Sequence, residues 1–256
     1  MSRIVVEVAG GVGAVYLNRP EKKNALDREM AEELNAAMEQ LGGDKAVRAI
    51  TLTGRGDDFC AGADLQSLEQ MISEGEKAHL QDAQALGRVF ITMRTIQKPI
   101  VALVRGRALA GGAGLATACD MILAHESATF GYPEVRVGFV PAMVMTMLRR
   151  SVGEKRAFDL VATSRQLTAR EALDMGLISR VIVAEAFDFE TAGIVAQLAE
   201  APISAMMITK RLFYALDDLD FRQGIAAGVK ANIEARLTDD FREGVRRFLN
   251  RDRAKP

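Results

Sequence analysis

Two hydrophobic periods alternate along the first two-thirds of the chain. Ile4 to Val8 and Val12 to Asn18 are β-rich runs separated by Ala9-Gly10-Gly11, a hairpin signal, and Asn18-Arg19-Pro20 ends the second run. From Asp27 onward Met30, Leu34, Met38 and Leu41 recur every three or four residues. That spacing predicts a helix with one buried face, stopped by Gly42-Gly43. Val47 to Thr53 predicts the next strand and Lys77 to Arg94 the next helix. After the break at Pro99, Ile100 to Val104 is an apolar strand, followed by a small-residue helix toward Cys119 and a strand at Met121 to Ala124. Strands separated by helices pair mainly in parallel, so this part of the chain is expected to be α/β. After about Ala186 the β signal fades, and helical runs follow at Thr191 to Glu200, Ile203 to Leu216, Phe221 to Leu237 and Phe241 to Leu249. The expected organisation is an α/β core over residues 1–190 and a helical C-terminal region over 191–256.

Composition narrows the function classes. Hydrophobic residues make up 49% and charged residues 26%, enough for a buried core and inconsistent with intrinsic disorder. The 33 basic and 34 acidic residues nearly cancel, which argues against an electrostatic nucleic-acid binder. Cys60 and Cys119 are too far apart for a Cys-x-x-Cys site, so neither a disulfide framework nor a zinc site is expected. No apolar run approaches the roughly 20 residues of a membrane span, and Met1 to Val8 lacks the apolar core of a signal peptide. The expectation is a cytoplasmic protein in a reducing compartment.

His79 lies in a charged, Gln-rich helix, as a solvated side chain would, and His125 follows a strand with Ser127 nearby. No Gly-x-Ser-x-Gly elbow accompanies them, which disfavours a serine hydrolase. Two glycine-rich turns carry more information. One follows the strand ending at Thr53 and reads Gly54-Arg55-Gly56, then Phe59-Cys60-Ala61-Gly62-Ala63-Asp64-Leu65, with Asp64 placed to cap a helix. The other reads Gly106-Arg107-Ala108-Leu109-Ala110-Gly111-Gly112-Ala113-Gly114. Neither fits a dinucleotide fingerprint or a P-loop. Close helix packing would produce the same small residues, but two backbone donors at helix starts are also what an oxyanion hole requires. Glu134, in Phe130-Gly131-Tyr132-Pro133-Glu134-Val135, is either a surface residue after proline or a carboxylate whose burial would suit it to acid/base work.

At these residues the sequence resembles the crotonase, or enoyl-CoA hydratase/isomerase, superfamily. Asn18-Arg19-Pro20 with Asn24-Ala25-Leu26, then Phe59 to Leu65, Val104 to Asp120 and Phe130 to Val140, resemble its successive signatures. Ala172 with Met175-Gly176-Leu177-Ile178 and Val181 resembles a fifth. The resemblance implies a spiral of ββα units followed by helices that build a homotrimer, or a hexamer made of two trimers. It implies an acyl-CoA thioester substrate from fatty-acid metabolism and no separate cofactor or metal, since the CoA arrives with the substrate. The N–H groups of Ala63 and Gly111 would form the oxyanion hole. Ala25, Leu26, Ala61, Asp64 and Leu65 would contact the CoA, together with Phe248 and Arg251 reaching a neighbouring subunit. Phe241 to Lys255 holds six basic residues against two acidic ones, which suits the CoA phosphates.

The family's hydratases use two glutamates. The second falls on Glu134, whereas the first would fall at Gly114. A single carboxylate suffices for a Δ3,Δ2-enoyl-CoA isomerase, which moves one proton between C2 and C4. Pro133 to Ala142 instead resembles a bacterial hydratase subgroup that includes methylglutaconyl-type enzymes. The expectation is hydration, with isomerisation second and a thioester-binding protein without turnover third. A dienoyl-CoA isomerase is disfavoured because its aspartate is here Ala142.

Overall fold

The computed structural model describes residues 2–253, with the side chains of Met71 and of residues 251–253 outside that description. The chain opens with a hairpin, β1 (Ile4–Ala9) and β2 (Val12–Leu17), antiparallel from Ile4 opposite Leu17 to Ala9 opposite Val12. Gly10 and Gly11 close it, both at positive φ (57° and 79°), which two-residue hairpin turns of this hand require. Next come α1 (Arg28–Gly43), β3 (Ala49–Gly54), α2 (Leu65–Met71) and α3 (Glu76–Thr95). The second repeat is β4 (Ile100–Val104), β5 (Arg107–Leu109) and α4 (Gly111–Ala118). The third holds β6 (Met121–His125), β7 (Thr129–Gly131), α5 (Ala142–Val152) and α6 (Glu154–Thr163), and is closed by β8 (Gln166–Thr168), α7 (Ala169–Asp174) and β9 (Arg180–Ile182). Four helices complete the chain: α8 (Phe187–Glu200), α9 (Ile203–Ala215), α10 (Phe221–Arg236) and α11 (Asp239–Arg253).

Two sheets result. Six strands lie in the order β1-β2-β3-β4-β6-β9, parallel from β2 onward, and three lie in the order β5-β7-β8. The chain passes from the large sheet to the small one within a repeat. Between β4 and β5 the crossing is made at Gly106, where φ is +56° and a Cβ would stand 2.1 Å from the Asp57 carbonyl oxygen. Only glycine fits there.

The large sheet is covered on both faces, as parallel sheets usually are. Alternate residues of its strands point to opposite sides. Ile50, Leu52, Ile100 and Ile122 join the main core with Met30, Leu34, Met38 and Leu41 of α1. Ala49, Val101, Leu123 and Ile182 join a second cluster with Phe187, Val195 and Ala199 of α8. The helix α8 therefore crosses the expected boundary between residues 190 and 191 and packs on the sheet.

Several boundaries differ from the periodic reading. Gly42 and Gly43 do not stop α1; they form its last turn, and Asp44 N–H donates to Gln40 O at 3.0 Å. Close packing explains Gly42, because a Cβ there would lie 3.0 Å from Ile96. The short elements between Ala128 and Met175 carry little periodicity. Among the described residues no single helix is long and apolar enough to cross a membrane.

Candidate active site

The site begins where the chain leaves β3. Phe59 N–H donates to Arg105 O (2.9 Å), Cys60 N–H to Arg107 O (2.9 Å) and Leu109 N–H to Cys60 O (3.0 Å). Cys60 thereby forms a parallel bridge with Ala108 and extends the small sheet by one residue. The two glycine-rich turns must then leave side by side. A Cβ on Gly62 would stand 2.7 Å from the Cβ of Ala110 and 2.9 Å from Leu109 O, so the turns are in direct contact. Both residues have positive φ, +96° at Gly62 and +49° at Ala110.

Each of these residues precedes one of the predicted backbone donors. At Ala63 the direction of the N–H follows from pairing. Leu26 N–H donates to Gly62 O and Asp64 N–H to Leu26 O, each at 2.7 Å, and successive peptide groups of an extended strand point opposite ways. Ala63 N–H therefore points away from Leu26. Gly111 is the first residue of α4, where an amide has no acceptor within the helix. Among the described residues neither N–H donates a hydrogen bond. Ala63 and Gly111 share the wall of a cavity of about 60 Å³ with Leu26, Asp64, Asp82 and Leu86. The positive end of the α4 dipole adds to the field of the two donors.

A web of polar contacts fixes the first signature against the second. Asn24, fully buried at φ +54°, accepts from Arg19 N–H (2.9 Å) and donates to Arg55 O (2.9 Å) and Asp58 O (2.8 Å). The Arg19 guanidinium contacts Asp64 (2.8 Å), Asp27 (2.9 Å) and Ala25 O (2.6 Å). Asp64 also accepts from Gln66 N–H at 3.0 Å and so caps α2, as the sequence suggested. Its carboxylate is committed within the fold. Ala25 and Leu26 are buried, Ala61 is half-buried with its N–H on Lys23 O (2.9 Å), and Leu65 is exposed at the start of α2.

Glu134 stands on a 3₁₀ turn reached through β7. That strand runs beside β5, and Ala110 N–H donates to Gly131 O at 2.8 Å, so the chain enters the turn from directly beside the Gly111 loop. The side chain is buried, 8% exposed, and its Oε2 has no hydrogen-bond partner among the described residues. Burial pushes its pKa above the ordinary glutamate value. The surface alternative considered for this residue does not hold. Glu134 is not among the residues lining the 60 Å³ cavity.

Gly114, within α4, faces a filled space. A Cβ there would lie 2.6 Å from Val144 Cγ2 and 3.2 Å from Phe90 Cζ. The position where the resemblance implies a first carboxylate is thus closed by apolar packing from α3 and α5. Nothing in the local sequence marks Val144 or Phe90 as its substitutes. His125 and Ser127 bond each other at 2.7 Å in an exposed turn, and Phe248 is exposed on α11. The Arg251 side chain lies outside the described residues.

Nearly the whole chain is similar to known proteins. The enoyl-CoA hydratase/isomerase family model matches residues 7–255. A protein of Thermus thermophilus named "putative enoyl-CoA hydratase" is 41% identical over 242 residues, covering 94% of this chain and 96% of that one. The short-chain-enoyl-CoA hydratase of Clostridium acetobutylicum is 32% identical and covers 98% of this chain and 96% of its own. The crystal structure of a Mycobacterium smegmatis enoyl-CoA hydratase superposes with a TM-score of 0.93 at 29% identity, covering 98% and 97% of the two chains. A match over nearly its full length, with the same fold, places this chain in the enoyl-CoA hydratase/isomerase family, the crotonase superfamily.

Proposed function

We propose that the protein adds water to a 2-enoyl-CoA thioester, with Ala63 and Gly111 N–H as the oxyanion hole and Glu134 as the principal acid/base. The observation that carries this reading is the pair of N–H groups without an internal acceptor at one cavity. In the reaction the thioester oxygen would accept from both as it gains enolate charge, and Glu134 would deliver a proton to C2. Donors of this kind favour the enolate over the ground state because they are already oriented and need no reorganisation. The hydratase names of relatives that cover nearly the whole chain support hydration over other family reactions. A branched or methylglutaconyl-like acyl group is the version suggested by Pro133 to Ala142.

A second reading, double-bond isomerisation by Glu134 alone, is favoured by one observation: Val144 and Phe90 fill the place of a second carboxylate at Gly114. Crotonyl-CoA hydration and 3-enoyl-CoA isomerisation measured on one preparation decide between them, and an isomerase excess reverses the ranking.

The exposed apolar residues Phe221, Ile225, Val229 and Ile233 of α10, with Leu237 just past its end, recur every four residues and support assembly of a homotrimer, or a hexamer of two trimers. The basic α11 with Phe248 and Arg251 would then meet the CoA of a neighbour.

Four outcomes are expected. Glu134→Gln lowers kcat about 10²–10⁴-fold with little change in acyl-CoA affinity, and activity within a few-fold of the parent removes the assignment. The same variant unfolds at higher temperature than the parent at neutral pH. The native state holds the Glu134 proton more tightly than the unfolded chain, so ionisation costs stability as pH rises through the raised pKa, and the gain vanishes below the ordinary carboxylate range. Gly114→Glu alone destabilises by about 1–3 kcal/mol through overpacking, and Val144→Ala in the same chain relieves part of that loss in thermal unfolding. Finally, sedimentation shows a trimer or hexamer, and truncation after Leu237 disrupts it and weakens acyl-CoA binding together; a monomeric parent contradicts the assembly.

A further inference from the structure

Three carboxylates reach the wall of the cavity that holds the Ala63 and Gly111 amides: Asp27, Asp64 and Asp82. Two are committed. Asp27 accepts from Met30 N–H (2.9 Å) and is paired with Arg3 and Arg19, and Asp64 is held by Arg19 and by Gln66 N–H. Asp82 differs: among the described residues no hydrogen bond or ion pair holds its carboxylate, and the nearby Arg28 is bonded to Glu32 and Gln81 instead. It is half-buried on α3, one turn before Leu86. Leu86 lines the same cavity, and its Cδ2 would be 3.9 Å from a Cβ on Gly111, so the face of α3 that carries Asp82 covers the first turn of α4.

The charged groups around Asp82 act on it in opposite directions. Burial raises its pKa and nearby Asp27 adds to the rise, while Arg28 and His79 oppose it. The cavity of about 60 Å³ also exceeds the roughly 10–15 Å³ that one water needs. With Gly114 blocked by Val144, the carboxylate that shares a cavity wall with Ala63 and Gly111 and has no partner within the fold comes from α3 instead.

We propose that Asp82 is the carboxylate that positions and deprotonates the water adding to C3 of the enoyl thioester, an inference that rests on the hydration reading. The water oxygen bonds to C3 as one of its protons passes to Asp82. The C2=C3 electron pair shifts to form the enolate, whose oxygen the two amides hold. Collapse of the enolate takes a proton from Glu134 to C2. The product then carries the elements of water, and transfer of the proton from Asp82 to Glu134 through solvent resets both groups.

The test compares Asp82→Asn and Asp82→Glu with the parent, using crotonyl-CoA for hydration and solvent deuterium exchange at C2 of butyryl-CoA for Glu134-dependent proton transfer. Exchange also reports that each variant is folded and binds thioester. Asp82→Asn is expected to lower hydration kcat about 10²-fold or more, with KM within a few-fold, and to lower the ratio of hydration to exchange by a similar factor. Asp82→Glu is expected to recover part of the hydration, and the hydration pH profile of Asp82→Asn to lose its acidic limb. Hydration within a few-fold of the parent, or hydration and exchange falling together, overturns the role of Asp82 while leaving the hydratase reading intact. A parent that exchanges the C2 proton but does not hydrate crotonyl-CoA overturns both.

Discussion

The contact between the turns at Gly62 and Ala110 leaves no room for a side chain, and the direction of both candidate donors depends on it. Ala110 adopts φ +49°, a conformation that costs a non-glycine residue about 1–3 kcal/mol. Its own N–H is held by Gly131 O and its carbonyl by Gly114 N–H, so hydrogen bonds on either side keep it in place. Relaxing that torsion would change the direction of the Gly111 amide. The Cys60 bridge to Ala108 and the Leu26 bridge to Ala63 hold the opposing turn at the same distance. The small sheet, only three strands wide, thus serves chiefly to bring consecutive repeats together at their tips.

Charge at the site is arranged around the same geometry. Arg19 pairs with Asp27 and Asp64, so the acids nearest the first two signatures are neutralised within the fold. Glu134 is different: it is buried without a cation or a donor on Oε2, and burial raises its pKa. A carboxylic acid in that state gives up a proton to a developing carbanion more readily than an exposed glutamate at neutral pH, because more of it is protonated.

Much of this was legible from residue order. The hairpin was marked by Gly10-Gly11 and α1 by the Met30, Leu34, Met38 and Leu41 stripe, because local periodicity and turn chemistry determine those elements. The turns at Gly62 and Gly111 were identifiable by their small residues, although their contact depends on pairing between segments some 45 residues apart. Between Ala128 and Met175 the short strands β7 and β8 have three residues each, too few for a period. Val144 is not legible from its own segment, because its place against Gly114 arises only when α5 closes over α4.

The most direct test is the infrared or Raman spectrum of an acyl-CoA with a ¹³C-labelled thioester carbonyl, bound to the Glu134→Gln variant so that turnover is suppressed. Two amide donors on that oxygen would move the carbonyl stretch to lower frequency than in free ligand, with the bound band narrowed by a single fixed environment. A bound carbonyl that absorbs at the free frequency would contradict an oxyanion hole at Ala63 and Gly111.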